Sequence, residues 1–301
     1  MLVFSRLGKK GNFGNHLFQI ASTIGIAIKN AHGFAFPRWE YAKYFIYDFP
    51  LYDEKLKYHL IKENTYHFSN IELKEGNYDL NGWFQSEKYF NVDAVKMCFK
   101  FRPEIINQVK IKYKKALSKK YILISVRRGD FVNNPYYFQL DYKYYFLAIT
   151  RNFNDWQNRT LIFTSDDIEY CKKHFQFLPN AIFIEKSNVI EQLALGSLCH
   201  DFVISNSTFS WWMAWLGENK ESKVLRPIKN FRGKFGTINN DKDYFPERWL
   251  AFNSKSERIE LKYYKLIVKG EFLKAIENVS YYYRFSVKEV KRFIKKIIGR
   301  K

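Results

Sequence analysis

Tyr121-Ile122-Leu123-Ile124-Ser125-Val126-Arg127-Arg128-Gly129-Asp130 begins as a continuous apolar run and ends in two arginines, a glycine and an aspartate. Similar short runs recur downstream at Leu161–Ser165, Ala181–Glu185, Phe202–Ser205 and Lys223–Pro227. Between them, residues 141–153, 166–177, 188–199 and 207–218 carry helical spacing. Cap-type residues open each of these: Asp141, Ser165/Asp166, Ser187/Asn188 and Asn206/Ser207. Unbroken apolar strands alternating with amphipathic helices predict a parallel sheet covered on both faces, because such strands have no solvent side. This half reads as a Rossmann-like α/β domain.

Upstream the pattern is less regular. Leu2–Leu7 reads as a strand, followed by a Gly/Asn-rich turn and a helix from about Asn15 to Ala31. Residues 34–80 are aromatic and mixed, and their topology stays open. Lysine-rich residues 103–120 read as a helical passage. The expected division is therefore 1–118, 119–260 and a basic helical tail, 261–301. Residues 286–301 hold seven Lys or Arg against one Glu, with Val287, Val290, Phe293, Ile294, Ile297 and Ile298 on one stripe. Such a tail suits either an anionic membrane surface or docking on its own domain.

Composition narrows the classes. The 301 residues carry a formal charge of +20, with 47% hydrophobic and 19% aromatic residues, which excludes wholesale disorder. Length suggests about two domains. Cys98, Cys171 and Cys199 are too few for a disulfide scaffold and form no C-x-x-C pair, so they read as reduced thiols of a cytosolic protein. Arg6, Lys9 and Lys10 come too early for the apolar core of a leader, and no apolar run reaches the ~20 residues of a spanning helix. The expectation is a protein that neither is secreted nor spans a membrane. The positive charge attracts polyanions of any kind.

Four segments carry candidate chemistry. Gly11-Asn12-Phe13-Gly14-Asn15-His16-Leu17-Phe18-Gln19 follows a strand and opens a helix, so it is either an anion-binding turn or an ordinary one. It is not a Walker A loop, since no G-K-[ST] follows. Arg127 and Arg128 leave a buried strand at its carboxyl end, where open α/β sheets bind ligands, and a guanidinium fork matches phosphate oxygens. Asn206, Ser207 and Thr208 open a helix, either as phosphate donors or as plain caps. Asp166 and Asp167 end another strand, to accept from a nucleoside or to cap. Trp211, Trp212 and Trp215 read as core. Asp241-Lys242-Asp243 reads as a solvated turn rather than a metal-diphosphate motif, and the six histidines lack ligand spacing.

Taken together, these segments resemble the bacterial α-1,2-fucosyltransferases of glycosyltransferase family 11. The matching stretches are 14–19, Gly82-Trp83-Phe84-Gln85-Ser86-Glu87-Lys88-Tyr89-Phe90, 126–130, 164–167, 205–212 and Tyr244-Phe245-Pro246-Glu247-Arg248-Trp249. They occur in family order over residues 11–249. The resemblance implies a GT-B fold, two Rossmann-like domains facing across a cleft, with GDP-β-L-fucose as donor, inversion, and no required metal or other cofactor. It implies that Arg128 neutralises the diphosphate with support from Arg127. Ser207 and Thr208 would hold phosphate oxygens, with Asn206 beside them in the donor site, Asp166 or Asp167 would hold the nucleoside, and Gly14, Asn15 and His16 would line the cleft. An acceptor hydroxyl must lose a proton as it attacks, for which Asp130 is the first candidate and His16 the second. Ser125 stands where the family has His, His16 where it has Gln, and Asn12 where it has Gly, so a different deoxysugar donor is conceivable.

The expected acceptor is a galactose-type glycan, lipid-linked at the cytosolic face of a bacterial inner membrane as part of a surface glycan, with 286–301 at the lipid. A nucleic-acid-binding protein is the rival reading of charge and aromatic content, but no binding module supports it and no nucleic-acid partner is expected. A catalytically dead sugar-nucleotide-binding relative is the third, resting on Ser125 alone.

Overall fold

A computed structural model describes residues 1–298. The first sheet is wholly parallel. Its strands are β1 (Leu2–Val3), β2 (Phe34–Ala35), β3 (His59–Lys62) and β4 (Tyr78–Asn81), in the order β2-β1-β4-β3. β1 is shorter than the expected strand to Leu7. Ser5 donates to the Asp79 carboxylate through its amide (2.9 Å) and its hydroxyl (2.7 Å), which pulls the chain into a turn. Helix α1 (Phe13–Lys29) follows, buried along most of its length. Two further helices, α2 (Val92–Cys98) and α3 (Pro103–Lys112), close this half. α3 stops before residue 120, in a lysine-rich turn where Ser118 Oγ donates to the Lys115 carbonyl.

The second sheet bears out the alternation read from 121–227. β5 (Tyr121–Val126), α4 (Tyr142–Asn152), β6 (Thr160–Ser165), α5 (Ile168–Phe175) and β7 (Ala181–Phe183) come first. Then follow α6 (Val189–Gly196), β8 (Phe202–Ile204), α7 (Thr208–Gly217), β9 (Val224–Pro227), the short α8 (Gly233–Ile238) and β10 (Leu250–Phe252). All pairs are parallel, in the order β10-β9-β8-β5-β6-β7. Counted from β5, this is the doubly wound 3-2-1-4-5-6 order, and its direction reverses between β5 and β8. A last helix, α9 (Tyr264–Ile298), leaves the second sheet. Gly299, Arg300 and Lys301 lie outside the described residues, as do the side chains of Arg284 and of Arg292 onward; the expected stripe at Phe293, Ile294, Ile297 and Ile298 falls there.

One apolar core runs through both halves. Trp211, Trp212 and Trp215 of α7 are buried, and they are packing groups as expected. Phe18 of α1 lies 4.6 Å from Trp211 and 5.1 Å from Trp212, and Phe90 stacks on Trp212 at 5.5 Å. A second core fills the other face of the large sheet, under α4 and α5. The three cysteines are free and buried, and burial pushes the Cys98 and Cys171 thiols up to about 12.

Candidate active site

β5 and β8 are neighbours, with Ser125 opposite Ile204. Their carboxyl ends flank the reversal point, where the crossovers to either side part and leave a crevice. Hydroxyls knit its floor: Ser210 Oγ lies 2.8 Å from both Ser125 Oγ and Ser205 Oγ, and Ser205 N donates to the Ser125 carbonyl at 3.0 Å. Ser207 caps α7, its Oγ accepting from Phe209 N at 3.2 Å. Capping does not use up the helix end, because the first-turn amides have no intrahelical partner.

The other wall comes from the first half. Gly11 takes φ +81°, Asn12 is extended without a side-chain cap, and α1 starts at Phe13. A Cβ on Gly14 would stand 2.7 Å from Phe209 N and 2.7 Å from Thr208 Oγ1. The first turns of α1 and α7 therefore touch, and two helix N-termini, each with partial positive charge and orphan N–H groups, meet at one cleft. The cavity between them is about 520 Å³; Gly14, Asn15, Arg127, Asp130, Asp166, Asn206, Ser207 and Thr208 all line it.

A polar relay edges this cavity. Asn230 Nδ2 donates to Tyr66 Oη (3.0 Å), Tyr66 to Gln85 Oε1 (2.5 Å), and Gln85 Nε2 to Asn15 Oδ1 (2.5 Å). Asn230 is buried, and its Oδ1 accepts from nothing among the described residues. An acceptor buried without a partner is costly, so it marks a place where a ligand donor would be stabilised. Gln85 belongs to the 82–90 stretch that resembles the family. Asn230 and Tyr66 had no sequence signal, since only folding brings residues 66, 85 and 230 together. Asn206 acts as a brace, because its side chain donates to the carbonyls of Asn230 (2.8 Å) and Phe138 (3.2 Å) and so fixes the loop that carries Asn230.

The two arginines part company. Arg127 lines the cleft, its guanidinium held by Asp130 (2.5 Å) and Asp166 (3.1 Å). Arg128, expected to be the principal phosphate ligand, turns the other way. It is 5% exposed, stacks 3.9 Å over the Tyr170 ring and pairs with Glu277 of α9. Successive side chains leaving a strand point to opposite sides, so only one of an adjacent pair can face the crevice. Asp166 braces both residues, since its Oδ1 also accepts from the Arg128 amide at 2.8 Å. It lies so close that a Cβ on Gly129 would meet Asp166 Oδ2 at 2.5 Å. Asp167 instead caps α5, accepting from Tyr170 N at 3.1 Å.

His16, the second candidate for the base, is turned into the protein. Trp39 Nε1 donates to its Nδ1 (3.4 Å), which leaves Nε2–H to donate to the Gly11 carbonyl (3.2 Å). Burial lowers its pKa, so the ring is neutral, and both nitrogens are spent on shaping the Gly11 turn. Asp130 is mostly exposed at the rim. The reading of Asp241-Lys242-Asp243 as merely solvated also changes. Asp241 accepts from the Asn230 and Phe231 amides (2.6 and 3.1 Å), and Asp243 ties Lys88 and the Phe68 amide of the first half to the second (2.7 and 3.1 Å). Both carboxylates are structural clamps.

Residues 26–252 match the family model described as Glycosyl transferase family 11; the Gly11–Gln19 turn lies before the matched span. The chain is 29% identical over 212 residues to the O-antigen biosynthesis glycosyltransferase WbnK of Escherichia coli, covering 64% of this chain and 68% of that one. It is 28% identical over 185 residues to an alpha-1,2-colitosyltransferase of Escherichia coli, covering 58% of this chain and 63% of that one. Among solved structures it resembles the NodZ alpha-1,6-fucosyltransferase soaked with GDP-fucose, at TM-score 0.48 and 12% identity over 71% of this chain and 91% of that one. POFUT1 in its apo form follows at TM-score 0.47 and 11% identity, over 75% and 97%.

Proposed function

The chain belongs to glycosyl transferase family 11, and from that premise we propose that it moves L-fucose from GDP-β-L-fucose, with inversion, to the 2-hydroxyl of a galactose-type acceptor. One observation carries the reading: two helix N-termini and Arg127 converge on a single crevice at the reversal point of a doubly wound sheet. We take the two sheets as the halves of a GT-B arrangement and the cleft between them as the donor site.

The chemistry follows from what converges there. Breaking the bond between the anomeric carbon and the phosphate oxygen leaves growing negative charge on GDP. First-turn amides of α1 and α7 are preorganised where that charge develops, and Arg127 supplies a full positive charge. These donors can serve in place of a divalent cation, which is why the reaction is proposed to need none. When the diphosphate takes Arg127, Asp130 loses its ion-pair partner. Its exposed carboxylate at the rim is then free to take the proton of the attacking hydroxyl, while Asp166 stays tied to the Arg128 amide. The new carbon–oxygen bond forms on the face opposite the departing GDP, and the proton passes to Asp130. Asn230 Oδ1 is a waiting acceptor for a ligand hydroxyl or N–H. The WbnK likeness supports placing the acceptor in O-antigen assembly.

A second donor has a specific basis. Ser125 occupies the position of the family's His, and one relative is a colitosyltransferase. Colitose is the 3-deoxy counterpart of fucose. The deciding experiment is transfer from GDP-fucose and from GDP-colitose to lactose and N-acetyllactosamine in excess EDTA. Wild type should give a 2-linked product, and Arg127→Ala should lower turnover about 100- to 1000-fold. A product made only from GDP-colitose would move the donor assignment. Turnover indifferent to Arg127→Ala, or abolished by EDTA and restored by a divalent cation, would sink the proposed site.

A further inference from the structure

Helix α9 is 35 residues long and meets the body through one side of its first half. Leu266 is buried, Gly270 abuts the Tyr142 ring, Lys274 pairs with Asp141 at 2.7 Å, and Glu277 pairs with Arg128. These positions lie three or four apart and share one face. The opposite face is apolar and bare. Val268, Phe272, Val279, Tyr283 and Val290 recur four or seven apart, and all are exposed, Val279 to 70% and Tyr283 to 71%. From Tyr282 to Lys291, every side chain with a described environment is exposed.

This inverts the usual arrangement, in which the apolar stripe faces the protein and the polar face meets water. An exposed stripe of this length calls for a partner, and its charge selects one. Residues 260–301 hold twelve Lys or Arg against four Glu. A second copy of the helix would bring the same positive charge alongside. An anionic bilayer satisfies both properties: the stripe enters the acyl boundary and the lysines meet the headgroups. The stripe runs ~33 Å from Val268 to Val290, straight and along one side, which suits a plane rather than a pocket. Tyr282 and Tyr283 supply rings of the kind that favour a membrane interface. No helix among the described residues is long and apolar enough to cross a membrane.

We propose that the solvent face of α9 is a docking surface for an anionic lipid bilayer, with the helix lying in the interface plane. The surface begins at Val268 and so extends well before the expected 286–301. It is independent of which sugar the cleft transfers. The test is cosedimentation of the full chain with vesicles of phosphatidylethanolamine and phosphatidylglycerol. Wild type should bind, more weakly at high salt and on phosphatidylcholine. Combined Phe272→Ser, Val279→Ser and Tyr283→Ser should weaken binding at least about tenfold, with an unchanged melting midpoint because all three side chains are exposed. Lys288→Glu with Lys291→Glu should weaken it through charge alone. Wild type that ignores phosphatidylglycerol vesicles, or a triple variant that binds as wild type does, would overturn the proposal. So would a dimer in solution that the triple variant dissolves while vesicles stay unbound, which would assign the stripe to a second copy.

Discussion

Arg127 and Arg128 are identical side chains one peptide apart, and burial separates their roles. Arg128 packs against Tyr170 and Glu277 and borders a separate cavity, lined in part by α9, rather than the cleft that Arg127 lines. Arg128→Ala should therefore cost stability, about 2 kcal/mol from the lost ring contact and the unpaired Glu277, while the Michaelis constant for the donor changes little. Arg127→Ala should do the reverse. Denaturant unfolding alongside donor kinetics for both variants checks this; equal donor defects would mean that Arg128 swings into the cleft. Adjacent arginines after a buried strand were legible as a phosphate signal, but which of the two faces the ligand was not. Both readings satisfy the same local pattern, and only the sheet's neighbours pick one.

At the scale of elements, the decisive contact is between the first turns of α1 and α7. Gly14 has no room for a side chain because the α7 backbone occupies the space where a Cβ would go. Gly14→Ala should push the helices apart, lowering stability by about 1–3 kcal/mol and lowering activity beyond what stability explains, since the paired amides diverge. Melting and turnover at a temperature where the variant stays folded separate the two effects. Unimpaired turnover would mean that the helix ends do not act together. The caps at Asp141, Asn188 and Ser207 were readable because a cap is a local bond, made within three residues. The meeting of Gly14 with Phe209 was not, since 195 positions of chain separate them.

For the molecule as a whole, burial of two histidines sets the response to acid. Desolvation lowers the pKa of His16, which touches Trp39, and of His174, which lies between Tyr142 and Tyr170. Both are neutral when folded, whereas the unfolded chain protonates them near about 6.5. The unfolded state thus binds more protons below that value. Stability should be flat above about pH 7 and fall as pH drops through about 6.5 toward 5. His16→Gln, which keeps a donor and an acceptor but cannot titrate, should flatten part of that fall. Melting midpoints measured across this range check it, and an identical slope in the variant would show that His16 does not contribute. His16 borders the core that joins both halves through Phe18 and the α7 tryptophans, whereas His174 packs on the second core under α4 and α5, so the two protonations strike different cores.

Local order was written in the chain. Unbroken apolar runs between amphipathic stretches demand a doubly covered parallel sheet, and Gly14, Asn15, Arg127, Asp166, Ser207 and Thr208 could be picked out because each sits where a strand ends or a helix begins. The topology of residues 34–80 was not, since two- and four-residue strands carry too little periodicity to declare themselves. Neither was the Asn230–Tyr66–Gln85–Asn15 relay, nor the enclosure of His16 and Arg128. The outward turn of α9 belongs with these: its stripe was partly visible as a pattern, but a pattern does not say which face meets the protein. Pairings between residues far apart in sequence depend on packing of the whole chain, and only the tertiary structure decides them.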